Sequence, residues 1–316
     1  MWVDISFLRL GRRWIMIKTF DDLVDYYRTT PQFLSLRLRT QRDYDYCIER
    51  AVRTFFSPKV TFGRTNLGKI GVSECKKAYQ EWLKSGVRTA NLTSTVASIL
   101  FNLAVELELM PNNPMRFVKK MQTQPRKVMW TADQVRLFCD TAYAEYKWRS
   151  IGLIVQMAYT FAQRIGDMRS LKWDNINFDE RRLDLEQSKK RAEVHLPINI
   201  NMYRMLEQQY KDFGFQEYVA PHPYPRNGGY IIYADVDIGR MVNRVKEEAG
   251  LPKELTAMDM RRTAITEMVE AGVDTTQIMA VSGHNSPQSM RPYIRHTYKS
   301  AASALERREN NNGKQT

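Results

Sequence analysis

The sequence predicts a mainly helical chain with a small antiparallel β-sheet, arranged as an all-helical first domain and an α+β second domain. Three observations carry this. Apolar residues before position 121 recur at helical spacing. A polar, basic stretch containing Pro125 breaks the pattern at 122–130. Beyond it, three short alternating segments interrupt further helical runs. At 316 residues the chain has room for two real cores, and 43% hydrophobic with 26% charged residues is an ordinary globular composition.

In chain order, residues 1–18 read as an N-terminal extension without structure, with charges in its apolar stretch, no signal-peptide layout and Met16 as an alternative start. The first domain spans 19–121. Tyr44, Ile48, Ala51 and Phe55 step by four, three and four, which is one helical face. A helix follows over 73–85. Another covers 90–110, striped by Val96, Leu100, Leu103 and Leu107 and stopped by Pro111-Asn112-Asn113-Pro114, because proline cannot continue a helix. After the 122–130 linker the second domain spans 131–308. Thr131-Ala132-Asp133-Gln134 is a capping box that opens a helix. An apolar helix over 151–163 ends at Arg164. Segments 173–178, 182–187 and 193–197 read as strands, 199–212 as a helix, 230–233 as a short strand and 235–308 as mostly helix. Residues 309–316 are a polar tail.

Composition narrows the function. No apolar run reaches the roughly 18 residues of a membrane span, so a cytoplasmic protein is expected. Cys47, Cys75 and Cys139 are odd in number and far apart, and His195, His222, His284 and His296 form no ligand spacing with them. Neither a disulfide scaffold nor a metal site is expected. Lys and Arg outnumber Asp and Glu by 48 to 35, a net charge of +13, which favours a polyanionic partner such as nucleic acid.

The second domain holds an ordered set of reactive residues. Arg164 stands in Phe161-Ala162-Gln163-Arg164-Ile165-Gly166-Asp167, and Lys189 in Gln187-Ser188-Lys189-Lys190-Arg191. Arg261 stands in Met258-Asp259-Met260-Arg261-Arg262, and His284 follows Gly283, nine residues before Tyr293. Singly, each has a plain structural explanation. Arg164 could snorkel from a packed stem, Lys189 could sit on a solvated hairpin tip, and one tyrosine among 16 is ordinarily structural. Together they resemble the tyrosine recombinase family: the phage integrases and the Xer-, Cre- and lambda-type recombinases. That family's ordered signature is Arg, Lys, His-x-x-Arg, His or Trp, and Tyr. The resemblance covers most of the chain.

The resemblance implies a helical core-DNA-binding domain followed by a catalytic domain, clamped on opposite faces of a duplex. The expected activity is site-specific recombination by a phage or mobile-element integrase, acting in a bacterial or phage-infected host. A tyrosine hydroxyl attacks a phosphodiester, and the energy of the broken bond is kept in a 3′-phosphotyrosyl link, so no cofactor is needed. Arg164, Lys189, Arg261, His284 and Tyr293 fall to the catalytic positions, with Lys190 a rival to Lys189. Asp167 falls where the family carries an acidic residue that anchors an arginine. Double-stranded DNA with specific core sites is the implied partner, bound by a tetramer on two sites, and an accessory DNA-bending protein is compatible. Met258 departs from the pattern by standing where the family has histidine; Arg262 or His296 could substitute. Pro292 fits best if Tyr293 lies in the first turn of a helix. A Xer-like dimer resolvase and a catalytically silent DNA-binding descendant are the alternative readings.

Overall fold

In the first part of the chain, three aromatic rings are drawn from distant segments into one core. Phe20 meets Phe62 edge-on at 5.5 Å and Phe101 at 5.4 Å, and all three are fully buried. The computed structural model describes residues 7–10, 13–124, 126–189, 191–226 and 228–293, together with 302, 305, 306, 308 and 309. It forms two units, Met1–Arg126 and Lys127–Thr316.

The first unit begins with an antiparallel hairpin, β1 (Phe7–Leu10) and β2 (Arg13–Met16), where the sequence suggested an extension without structure. Helix α1 (Phe20–Thr29) opens on a Thr19–Asp22 capping box, and α2 (Pro31–Leu34) starts on a proline that needs no N–H donor there. Helix α3 (Leu38–Arg53) buries Cys47, Ile48 and Ala51 but stops short of Phe55. Thr54 is the reason. Its hydroxyl bonds the Arg50 carbonyl at 2.8 Å and accepts the Trp82 indole N–H at 2.7 Å, turning the backbone extended. Phe55 therefore lies in β3 (Phe55–Ser57), paired with β4 (Val60–Thr61), and is 72% exposed. Helices α4 (Val72–Leu83) and α5 (Val87–Glu106) complete the unit. The Asn113 side chain clips the chain after α5, donating to Ser98 O at 2.9 Å and accepting from Met115 N at 2.9 Å.

The second unit opens on α6 (Ala132–Ala144), capped by the Thr131–Gln134 box. Helix α7 (Arg149–Thr160) is apolar around its circumference, which fits a helix surrounded by protein: Ile151, Leu153, Ile154, Val155 and Met157 are all fully buried. Each such side chain removed from water contributes about 1.5–3 kcal/mol. A short α8 (Ile165–Arg169) follows, then a three-stranded antiparallel sheet of β5 (Ile176–Asn177), β6 (Arg182–Glu186) and β7 (Glu193–Pro197). Its register pairs Leu183 with Leu196 and Leu185 with Val194, and this alternating set faces the core. The first expected strand is shorter than its apolar pattern, because Trp173–Asn175 winds into a 3₁₀ turn before β5. The 230–233 segment forms no strand; its Ile231 carbonyl only accepts from His222 N at 2.9 Å.

Four helices follow: α9 (Ile200–Phe213), α10 (Asp235–Glu248), α11 (Met260–Glu270) and α12 (Thr275–Ser282). Trp130 pins the start of α6 near α11, donating through its backbone to Thr263 Oγ1 and through its indole to Thr256 O. A separate small core of Ala162, Ala264, Ile265, Ile278 and Met290 underlies the reactive residues. Among the described residues, no helix is long and apolar enough to cross a membrane.

Candidate active site

The Arg164 backbone is set by a turn that hydrophobic periodicity does not reveal. Helix α7 ends at Thr160; Ala162 then takes φ of 51°, and Arg164 is extended as the N-cap of α8. Arg164 thus precedes a new helix instead of ending the long one. Its Nη1 donates to Gln187 Oε1 at 2.8 Å and lies 3.7 Å from Asp167 Oδ2. Asp167 is 2% exposed, and its Oδ1 accepts the Ser188 amide at 3.1 Å. The aspartate therefore tethers the loop that carries Lys189 and makes an ion pair with Arg164 beyond hydrogen-bond distance. Lys189 itself is exposed on the β6–β7 connection, and Lys190 lies outside the described residues.

Arg261, in the first turn of α11, is only 7% exposed. Its Nη2 lies 3.4 and 3.3 Å from the two ring nitrogens of His284, and its Nη1 is 3.5 Å from Gln163 Oε1. Near-equal distances to both ring nitrogens mean that the guanidinium packs across the imidazole instead of engaging one lone pair. The directed partner of His284 Nδ1 is Ser282 Oγ, at 2.7 Å. Tyr293 completes the group. Its ring centroid is 5.6 Å from that of His284, and its phenol lies close enough to the Arg261 guanidinium to favour the charged arginine. Burial, then the nearby Arg164 charge, pull Arg261 down from 12.5 to about 10, while Tyr293 and Asp167 work the other way. Two cations held this close in a half-dry site are suited to an anion that both can share.

Tyr293 stands at the seventh position of the 3₁₀ turn Pro287–Tyr293, with Pro292 inside it, so it is not in the first residues of that turn; residue 294 lies outside the described residues. Met258 lies in the 3₁₀ turn Ala257–Asp259 and is 78% exposed. Among the described residues Arg262 makes none of these contacts, since one helical step turns it about 100° from Arg261. His296 lies outside the described residues.

Three contributors escape a search for reactive residue types: Gln163, Gln187 and Ser282, each fully buried. A signal existed for one, because period-two alternation places Gln187 on the inward face with Leu183 and Leu185. Gly283 caps α12 with φ of 66°, and a Cβ there would come within 2.6 Å of Gln187 Nε2. Gly283→Ala is expected to cost about 1–3 kcal/mol through backbone strain and this clash. A lowered unfolding midpoint in urea, with unchanged slope, would register it.

Residues 129–300 match the family model described as the phage integrase family. The integrase of Escherichia phage HK022 is 24% identical over 180 residues, covering 57% of this chain and 47% of that protein. Among solved structures, the lambda integrase dimer bound to a COC′ core site aligns with a TM-score of 0.72 and 19% identity, covering 87% of this chain and 77% of that one. The Tn1549 transposon integrase in complex with circular-intermediate DNA aligns with a TM-score of 0.74 and 18% identity, over 92% of this chain and 100% of that one. The family model takes in more than half of the sequence, including all five residues of the ordered set, and the chain belongs to the phage integrase family of tyrosine recombinases, enzymes that break and rejoin DNA.

Proposed function

We propose that Tyr293 is the nucleophile of this site-specific recombinase. Its phenol oxygen bonds to the scissile phosphorus, the phosphorus–O5′ bond breaks, and a 3′-phosphotyrosyl link remains. Arg164 and Arg261 grip the nonbridging oxygens, whose charge grows in the transition state, and planar guanidinium forks suit them. His284 donates a hydrogen bond to the same phosphate. Lys189, at the loop tip, gives its proton to the departing 5′-oxygen, and the phenol proton leaves to solvent. Asp167 acts by positioning the Arg164 segment and the Lys189 loop. Because the transferred bond keeps its energy, rejoining is the same step reversed and calls for neither nucleotide nor metal.

The observation that carries this reading is the convergence of the Arg261 guanidinium, the His284 ring and the Tyr293 phenol, with Arg164 close enough to depress the Arg261 pKa. The substrate is double-stranded DNA bearing core sites, recombined for a phage or other mobile element inside a bacterial cytoplasm. Lambda integrase forms a dimer on a COC′ core site and a tetramer on a Holliday junction, and we take a tetramer on two DNA sites as the working assembly here. An accessory bending protein is compatible with it. The test is covalent trapping on nicked duplexes tiled across the DNA that flanks the gene. An SDS-resistant adduct supports the chemistry; tight, salt-sensitive binding without any adduct points to a silenced enzyme.

Met258 is the point where silence would originate, and the presence of Arg164, Lys189, Arg261, His284 and Tyr293 argues against that. The methionine itself packs into no core. Met258→His is expected to shift stability by less than about 0.5 kcal/mol, as for an exposed site, and to hold or raise the cleavage rate. A collapse of that rate with an unchanged melting curve would show that the site depends on methionine.

A further inference from the structure

Gln163 and Gln187 are both 0% exposed, and ordering two buried amides needs a full set of partners. They have one. Gln163 Nε2 donates to Phe161 O at 2.9 Å and Val281 O at 2.7 Å. Gln187 Nε2 donates to Gln163 Oε1 at 2.6 Å and Ser282 O at 2.8 Å. All four amide N–H bonds thus end on carbonyl oxygens, which fixes the way each amide faces, since a flip would set carbonyl against carbonyl. The two amide oxygens are thereby aimed at arginines. Gln187 Oε1 accepts from Arg164 Nη1 at 2.8 Å, and Gln163 Oε1 faces Arg261 Nη1 at 3.5 Å.

We infer that the Gln163–Gln187 pair is the positioning device of the catalytic centre. It ties the Arg164 turn to the strand leading to Lys189, and both to the end of α12 just before His284. The inference rests on the catalytic roles proposed above. The choice of amide over carboxylate has a consequence. A neutral oxygen orients a guanidinium without adding a second negative charge beside that of Asp167, so the arginine pair keeps a net positive field for phosphate. A glutamate in the same seat would neutralise Arg164 and turn its oxygens on Ser282 O and Gln163 Oε1.

The test compares Gln187→Met, Gln163→Met and Gln187→Glu with wild type in single-turnover cleavage of a nicked duplex, after melting curves confirm folding. Misplacing a catalytic group by about 1 Å costs on the order of 10²-fold, so each methionine variant should cleave about 30- to 100-fold more slowly. Duplex affinity should change less than about threefold, and the double variant should lose little more than either single one. Gln187→Glu should recover relative to wild type as pH falls and its carboxyl regains a donor; neither methionine variant should. Arginine side-chain NMR, with Arg164 assigned through Arg164→Lys, gives a readout free of chemistry: rotation of the Arg164 guanidinium should be slow in wild type and fast in Gln187→Met. Wild-type cleavage by both methionine variants, or equally fast rotation in wild type, overturns the inference. Slow rotation in a wild type that forms no adduct would instead overturn the catalytic reading and keep the pair as an arginine holder. If Gln187→Met does not fold, Gln163→Met carries the comparison.

Discussion

Tyr293→Phe is expected to remove covalent DNA attachment altogether, by at least about 10⁴-fold, while duplex binding stays within about twofold of wild type. The substitution is a clean one because of where Tyr293 lies. Its ring packs on the small core of Ala162, Ala264, Ile265, Ile278 and Met290 and lies beside His284, and phenylalanine keeps that packing. What disappears is one oxygen beside Arg261. The phenol favours the charged form of Arg261 against burial and the Arg164 field, so the variant relaxes the arginine pair slightly without unseating it. Denaturing gels on nicked duplexes give the attachment, and equilibrium binding over a range of salt gives the affinity. An undiminished adduct would move the nucleophile to another tyrosine.

The parts of this site that sequence could show are those whose chemistry is unusual for their place. Two arginines, a lysine, a glycine–histidine pair and a tyrosine in fixed order stood out against ordinary structural roles, and the α+β layout followed from apolar periods of 3.6 and 2. What periodicity missed was set by single residues acting against it. Ala162 at positive φ splits one apparent helix into α7 and the cap of α8, which moves Arg164 from a helix end to a helix start. Thr54 does the same to Phe55 through a hydroxyl whose partner, Trp82, is 28 positions away. Pro292 was read for its place in a first turn, but it occupies the sixth position of the 3₁₀ turn Pro287–Tyr293. The glutamines were hidden for another reason. An amide has no reactive signature, and its value here depends on carbonyls from two separate segments, at Phe161 and at Val281–Ser282, meeting it.

Arg261→Lys is expected to lower cleavage by about 10²- to 10³-fold near neutral pH and, unlike wild type, to become strongly pH-dependent above it. Loss of the planar fork accounts for the first effect. The second follows from the seat. Burial and the Arg164 charge together bring the arginine from 12.5 down to about 10, which leaves it protonated throughout the working range. A lysine begins near 10.4 and meets the same two forces, so its pKa in the folded protein should lie below its ordinary value. Above its lowered pKa the variant would offer a neutral amine to the phosphate, and the rate should fall by up to about tenfold per unit relative to wild type; lowering the pH should restore the charge but not the fork. Stability must move the opposite way. Between the lowered folded pKa and the ordinary unfolded one near 10.4, the unfolded lysine binds a proton that the folded one has lost, so unfolding free energy rises with pH over that window, relative to wild type. Single-turnover cleavage and urea unfolding, each measured from pH 6.5 to 9.5, read the two trends separately. Parallel pH profiles for variant and wild type in both measurements would mean that Arg261 does not sit in a desolvated field beside Arg164, and its role in gripping the phosphate would have to be given up.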